Sequence, residues 1–196
     1  MYSLWLGIAA FVLYFLYDIN SFTWKRKLPG TFFLIGTLCI GAATVLDLVF
    51  AWRTGAFSGA ADILLLAGAL VCFGALIYSL FFALPFKETY ADQTDGRRVY
   101  RGGVYALCRH PGILFFFGTY LLLGLAALPS PVLFRFLLFS ALNLAYAWFQ
   151  DRITFPRTFT DYPDYQSQVP FLIPTGQSFS MACKTLIPAH DEEDVP

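Results

Sequence analysis

Apolar residues fill long, uninterrupted blocks of this chain. The blocks cover residues 2–17, 30–52, 60–84, 112–128 and 132–149. Most are close to the roughly 20 residues that a helix needs to cross the hydrocarbon core of a bilayer. Only 13% of the 196 residues are charged, whereas about 25% is usual in soluble domains. We therefore predict an all-α integral membrane protein with about five transmembrane helices, whose partner is the lipid bilayer and not a nucleic acid.

The basic residues are distributed unevenly between the two sides that these spans would create. Only Arg53 and Arg135 fall toward one side. The opposite side receives Lys25, Arg26, Lys27, Lys87, Arg97, Arg98, Arg101, Arg109, Arg152, Arg157 and Lys184. Because cytoplasmic loops are enriched in Lys and Arg, this asymmetry predicts an N-terminus outside and a C-terminus in the cytoplasm. We expect the membrane to be the inner membrane of a bacterium.

Two spans are joined by a very short link, which constrains the geometry most. Residues 129–131 (Pro-Ser-Pro) separate the fourth and fifth apolar blocks. So short a connection predicts a tight antiparallel helical hairpin. Its two open ends return to the same, cytoplasmic side, with helix axes roughly 8–10 Å apart. The segment before the fourth span should therefore meet the segment after the fifth.

Those two segments carry charges of opposite sign. Pro111 suits the first position of a helix, which places His110 near the N-cap and Arg109 beside the positive end of the helix dipole. Such an end favours a carboxylate or a phosphate. Across the hairpin, Gln150 and Asp151 could hold an amine, a ribose hydroxyl or a cation. Together these residues predict a cytoplasmic pocket for a zwitterionic ligand.

Two charged residues fall inside the apolar blocks. Asp47 lies in the second block, and a carboxylate within a membrane is costly unless it is paired or functional. We expect it to face Ser, Tyr or Arg partners in the bundle or to lie near the outer interface. Arg135, near the start of the fifth block, is expected to extend its guanidinium toward the interface.

The remaining features define the domain organisation. Residues 1–174 are predicted to form one membrane-embedded domain, in which the aromatic, Pro-rich segment 155–174 packs beneath the bundle. Residues 175–196 are predicted to be a C-terminal cytoplasmic tail. The four cysteines are scattered, with no C-x-x-C pair, so neither a disulfide framework nor a metal site is expected.

Several short motifs follow one another in a specific order. They are Gly-Val-Tyr at 103–105, Arg-His-Pro at 109–111, Gln150-Asp151, Asp-Tyr-Pro-Asp-Tyr at 161–165 and Val-Pro-Phe-Leu-Ile-Pro at 169–174. This order resembles the isoprenylcysteine carboxyl methyltransferase family, which groups with the phospholipid methyltransferases. The resemblance covers residues 90–174. It implies a membrane-embedded enzyme that transfers a methyl group from S-adenosylmethionine to a lipophilic or lipid-linked acceptor entering from the bilayer.

The resemblance also implies roles for individual residues. Arg109, His110 and Asp151 are expected to be catalytic. Tyr146 stands where the prenylcysteine enzymes have an arginine that contacts the substrate carboxylate, so we expect it to contact the acceptor. The expected contacts of S-adenosylmethionine are Arg97, Arg98, Val99, Tyr100, Tyr105, His110, Pro111, Gly112, Ile113, Gln150 and Asp151.

Three departures from the family pattern support an alternative function. Ile113 replaces the tyrosine that usually follows Arg-His-Pro, Gln150 replaces the first glutamate of a Glu-Glu pair, and Tyr146 replaces the arginine. The alternative is a catalytically inactive relative that serves as a membrane accessory protein. A lesser alternative is a sterol-reductase-like enzyme that uses NADPH, although the Asn-Tyr that follows the proline in those proteins is absent here.

Overall fold

A computed structural model of the chain describes residues 2–24, 31–83 and 97–186, and all secondary structure in these ranges is helical. The long helices are α1 (Tyr2–Phe22), α2 (Phe32–Arg53), α3 (Ala60–Ile77), α5 (Pro111–Ala126) and α6 (Val132–Phe149). The short ones are α4 (Val104–Leu107), α7 (Phe155–Thr158), α8 (Tyr162–Gln168) and α9 (Gly176–Leu186). A π-helical turn follows α3 (Tyr78–Phe82), and another joins α6 to α7 (Gln150–Thr154).

Four helical stretches are long and apolar enough to cross a membrane. They are Tyr2–Phe22, Phe32–Arg53, Ala60–Phe82 and Val132–Thr158. The fourth predicted span corresponds to α5, which is also apolar but has 16 residues. Its length of about 24 Å is less than a hydrocarbon core of about 30 Å. The described residues thus contain four candidate spans and one shorter apolar helix.

Some of the residues on which the predicted orientation and the predicted tail depend are not among those that the structure describes. Lys25, Arg26, Lys27 and Lys87, and residues 187–196, lie outside the described residues. The described part of the tail forms α9, which packs on α4.

The helices pack as two antiparallel pairs bridged by α6. Helix α1 packs on α2, helix α3 packs on α5, and α6 contacts both α5 and α1. Aromatic residues fill the centre, where the rings of Tyr120 and Phe136 meet edge to face at 4.9 Å. Large apolar side chains also cover the outside of the bundle: Trp52, Leu64 and Phe134 are each about three-quarters exposed. Such an apolar exterior suits a surface that faces lipid.

The hairpin of α5 and α6 depends on a close approach at Gly124. A Cβ atom at this position would lie 2.9 Å from the Cα of Leu133. Gly124→Ala should therefore push the two helices apart and lower the free energy of unfolding by about 1–3 kcal/mol. Gly41→Ala is the matched control, because its added methyl meets nothing within 4 Å. Unfolding in detergent micelles measures both, and equal stabilities would contradict this packing.

Asp47 pairs within the bundle, as predicted. It is 1% exposed, and its Oδ1 accepts hydrogen bonds from the Ser3 hydroxyl at 2.8 Å and from Arg135 Nε at 2.8 Å. The expectation that Arg135 extends toward the interface is wrong. Its guanidinium turns to Asp47 and lies over the ring of Phe50, 5.7 Å from the ring centre. Because the Asp47 carboxylate is buried, its attraction for the Arg135 guanidinium is stronger than the hydration that the guanidinium would gain at the interface.

Candidate functional site

The start of α5 is anchored to the segment that follows α8. Pro111 occupies the first turn of α5, and His110 is its N-cap residue. The backbone amide of Arg109 donates to the carbonyl of Pro170 at 2.9 Å, and that of His110 donates to the carbonyl of Phe171 at 3.3 Å. Two amides before the helix are satisfied in this way. The predicted meeting of the two open ends of the hairpin is confirmed by the side chains described next.

The carboxylate of Asp151 is the centre of a buried polar network, and its side chain is 3% exposed. Arg109 binds it with two nitrogens, Nε to Oδ1 at 2.7 Å and Nη2 to Oδ2 at 3.0 Å. Tyr162 donates its hydroxyl to Oδ1 at 2.6 Å, and Gln166 donates its amide to Oδ2 at 3.0 Å. His110 Nε2 lies 3.3 Å from Oδ1. Both carboxylate oxygens therefore have donors within the protein.

The third guanidinium nitrogen of Arg109 also forms hydrogen bonds within the protein. Its Nη1 donates to the carbonyls of Gln166, at 3.2 Å, and of Val169. The guanidinium thus joins α5, the π turn after α6 and the segment after α8. The sequence predicted that Arg109 would attract an anionic group and that Asp151 would hold a cationic one. The structure instead pairs the two side chains with each other, because each is the nearest compensating charge for the other in a buried place.

His110 and Tyr162 link this network to its surroundings, His110 through aromatic packing and Tyr162 through its hydroxyl. The imidazole of His110 stacks on the ring of Phe155, with ring centres 5.7 Å apart, and meets the edge of Phe171 at 5.0 Å. Burial, together with the hydrogen bond to Asp151, raises the pKa of Tyr162 above its ordinary range. Its phenol therefore stays protonated and remains a donor. The side chains of the network are largely closed to solvent.

Residues 97–101 run beside residues 160–164. The amide of Val99 donates to Asp161 Oδ1 at 2.9 Å. Arg101 pairs with Asp161 at 3.0 Å and with Asp164 at 2.7 Å, and this hydrogen bond lowers the pKa of the exposed Asp164 carboxyl. The side chains of two further predicted contacts, Arg97 and Arg98, are exposed. Both arginines thus lie on the accessible surface of the segment that runs beside residues 160–164.

Tyr105 connects α8 to the π-helical turn that follows α3. Its hydroxyl donates to the carbonyl of Ser79 at 2.8 Å, and its own carbonyl accepts the hydroxyl of Tyr165 at 2.6 Å. The ring of Tyr100 packs edge-on against it at 6.4 Å. The predicted residues Gly112 and Ile113 lie in the first turn of α5, where Gly112 faces the Ser79 side chain.

Two predicted site residues point elsewhere. Tyr146 and Gln150 direct polar groups toward Asp18, a carboxylate near the end of α1. The hydroxyl of Thr154 donates to the same carboxylate at 3.3 Å. The π turn thus places Asp151 on one side and Gln150 and Thr154 on another. Tyr146 and Gln150 are not brought together with Arg109.

Sequence reasoning missed three residues of these networks. Tyr162 was noted only as part of a motif, and Gln166 carried no signal that distinguishes it from a surface residue. Asp18 could have been found by the argument applied to Asp47, since both interrupt apolar helices. The first apolar block ends at residue 17, which leaves Asp18 outside the predicted span.

An apolar groove of about 450 Å³ leads along α6 toward the network. It is lined by Ala141, Leu144, Ala145, Trp148 and Phe171. Phe171 also contacts His110, and the guanidinium of Arg109 lies 5.8 Å from its ring centre. Phe171 therefore borders both the apolar groove and the buried polar network.

No protein-family model matches the chain, and neither the curated proteins nor the solved structures contain a match. Among the described residues, no group of three or more His, Cys, Asp and Glu side chains is arranged to hold a metal ion.

Proposed function

We propose that this protein is a membrane-embedded methyltransferase that uses S-adenosylmethionine to methylate a lipophilic or lipid-linked acceptor. One observation carries the proposal. Four of the five motifs of the sequence resemblance contribute a residue to the contacts of the Arg109–Asp151 pair, namely Arg109, Asp151, Tyr162 and Val169. In the remaining motif, the carbonyl of Tyr105 accepts the hydroxyl of Tyr165. The apolar groove beside Phe171 supplies a second support, because a lipophilic acceptor could reach the same place from the bilayer.

The residues present fit this cofactor in part. S-Adenosylmethionine would supply an activated methyl group on a positively charged sulfur. The exposed guanidinium groups of Arg97 and Arg98 fit its carboxylate, and the rings of Tyr100 and Tyr105 fit the flat face of its adenine. Arg109 and Asp151 do not fit as direct ligands, because their polar groups are already paired. Their proposed role is to hold the surrounding segments in place.

Methyl transfer from such a cofactor requires no covalent enzyme intermediate. The protein's contribution would be to align the acceptor and to keep water away from it. In this proposal the groove holds the apolar part of the acceptor, and the stacked His110 and Phe171 rings form the dry boundary of the reaction site. The end of the bundle that carries Arg109 would face the cytoplasm, with the N-terminus outside.

Cofactor binding is the first test. We expect S-adenosylmethionine to bind the purified protein in detergent micelles, as measured by calorimetry. Arg97→Ala combined with Arg98→Ala should weaken binding about tenfold or more, because charge-assisted hydrogen bonds to the carboxylate are lost. Arg152→Ala, which removes another exposed arginine, should leave the affinity unchanged. No heat at millimolar cofactor would show that the proposal is wrong.

The groove can be tested separately. Ala145 is exposed and lines the groove, so Ala145→Trp should fill part of it without disturbing the core. We expect a raised KM for a long-chain acceptor and unchanged affinity for S-adenosylmethionine. Phe134→Trp, on an exposed position near the other end of α6, is the matched control. Equal effects of the two substitutions would remove the groove from the proposal.

The closed pairing of Arg109 with Asp151 favours a second candidate, an accessory protein without turnover. In that case the network serves only the stability of the fold. Cofactor binding without methylation of any member of a broad panel of lipophilic acceptors would support this candidate. Turnover of one acceptor would exclude it.

A further inference from the structure

Three aspartates are buried in the described part of the chain: Asp18, Asp47 and Asp151. Asp47 is paired with Arg135, and Asp151 is paired with Arg109. Asp18 differs from both. It is 4% exposed, and among the described residues it forms no ion pair.

The described groups that bond to the Asp18 carboxyl group are neutral. They are the hydroxyl of Thr154, at 3.3 Å, and the polar groups of Tyr146 and Gln150. One described cation of the same segment as Thr154 is used elsewhere. Arg157, one turn after Thr154, lies over the ring of Phe22 and donates to the carbonyl of Ile153. An ionised carboxylate in such a place is costly unless a positive charge compensates it.

Aromatic rings line the same region. The ring of Tyr146 stacks on Tyr14 at 5.5 Å and meets the edge of Phe15 at 5.3 Å, and Phe15 contacts Phe149 at 5.1 Å. Tyr14 and Phe15 lie one turn before Asp18 on α1 and share its side of the helix. Aromatic faces attract organic cations, and the attraction is strongest away from water. A buried carboxylate with an aromatic surround is therefore chemically suited to an ammonium group.

The depth of Asp18 suits a ligand that lies in the membrane. Asp18 is four residues before the end of α1 at Phe22, which is about 6 Å from the helix end. Gln150 is half-buried, and its side chain forms a hydrogen bond with the Asp18 carboxyl group. The headgroup of an amphiphile could displace this amide while its alkyl chain stays in the bilayer.

We propose that Asp18, together with Tyr146 and the neighbouring aromatic rings, binds the ammonium headgroup of a cationic amphiphile. The ammonium supplies a counter-charge that no ion pair among residues 2–24, 31–83 and 97–186 provides, and it donates hydrogen bonds to the carboxylate. This site is separate from the Arg109–Asp151 network and does not depend on methyl transfer.

The test compares amphiphiles that differ only in the headgroup. Dodecylammonium, added at a low mole fraction to maltoside micelles, should raise the melting temperature of the protein in a saturable way, since it binds the folded state. Dodecanol at the same mole fraction should not. Asp18→Asn should weaken the apparent affinity about tenfold or more, because the charge-assisted interaction is lost. Asp62→Asn, at the start of α3 and far from α1 in the chain, is the matched control.

A second variant keeps the proposal testable if Asp18→Asn does not fold. Gln150→Lys places a cation of the protein beside Asp18. It should keep the fold and abolish the effect of dodecylammonium. Equal stabilisation by dodecylammonium and dodecanol would overturn the proposal, and so would equal binding by the wild type and Asp18→Asn. In either case Asp18 would be a neutral acid held only by internal hydrogen bonds.

Discussion

Replacing Arg109 by alanine should lower the free energy of unfolding by about 3–5 kcal/mol, the usual cost of removing one partner of a buried ion pair. The side chain of Asp151 is 3% exposed. Without Arg109 it keeps the hydroxyl of Tyr162, the amide of Gln166 and the contact with His110, but it loses the one arginine that is paired with it among the described residues. The carbonyl of Val169 also loses its donor. Thermal or denaturant unfolding in detergent micelles measures the effect.

The control for this result removes both charges. Arg109→Met combined with Asp151→Leu should cost less than Arg109→Ala alone, because no uncompensated charge is left in the core. Arg101→Ala breaks an ion pair with the exposed Asp164 and should have a much smaller effect, since exposed pairs contribute little. If Arg109→Ala were as stable as the wild type, the network would not be a structural centre.

The second large effect is expected at the opposite end of α6. Arg135→Ala should also lower the free energy of unfolding by about 3–5 kcal/mol. It leaves Asp47, which is 1% exposed, with only the hydroxyl of Ser3 as a described donor. The other carboxylate oxygen, Oδ2, is already buried without a partner among the described residues. Because the carboxylate is shielded from water, water does not readily replace the lost guanidinium.

The reverse substitution should be milder, and this asymmetry is the sharper measurement. After Asp47→Ala, the side chain of Arg135, which is 16% exposed, can extend toward the interface. Arg135→Ala should therefore be more destabilising than Asp47→Ala. The double alanine variant should be more stable than Arg135→Ala. An equal loss in both single variants would contradict the view that only the aspartate is trapped.

Hairpin length was enough to predict which segments meet. Helices of similar length joined by residues 129–131 must bring Arg109 close to Asp151, and the structure confirms this contact at 2.7 Å. Sequence reasoning could not show that the two charges satisfy each other. That outcome depends on side-chain positions within about 1 Å and on Tyr162 and Gln166, which come from a later helix.

The ends of the spans were less predictable than their existence. The first apolar block was ended at residue 17, whereas α1 continues to Phe22. Asp18 and Asn20 look like the end of a span in the sequence, but both side chains are buried against neighbouring helices. A polar residue marks the end of a span only where its side chain meets water. The sequence of one helix does not show whether another helix covers that side chain.

The π turn of Gln150–Thr154 fixes how this part of the sequence can change. The amide of Phe155 bonds the carbonyl of Gln150, five residues back, so the turn holds one residue more than an α-helical turn. Deleting one residue here would restore the regular helix and rotate everything after it by about 100°. Tyr162 and Gln166 would then leave Asp151, and Thr154 would leave Asp18. The length of this stretch is therefore fixed, because changing it would separate both buried carboxylates from their partners.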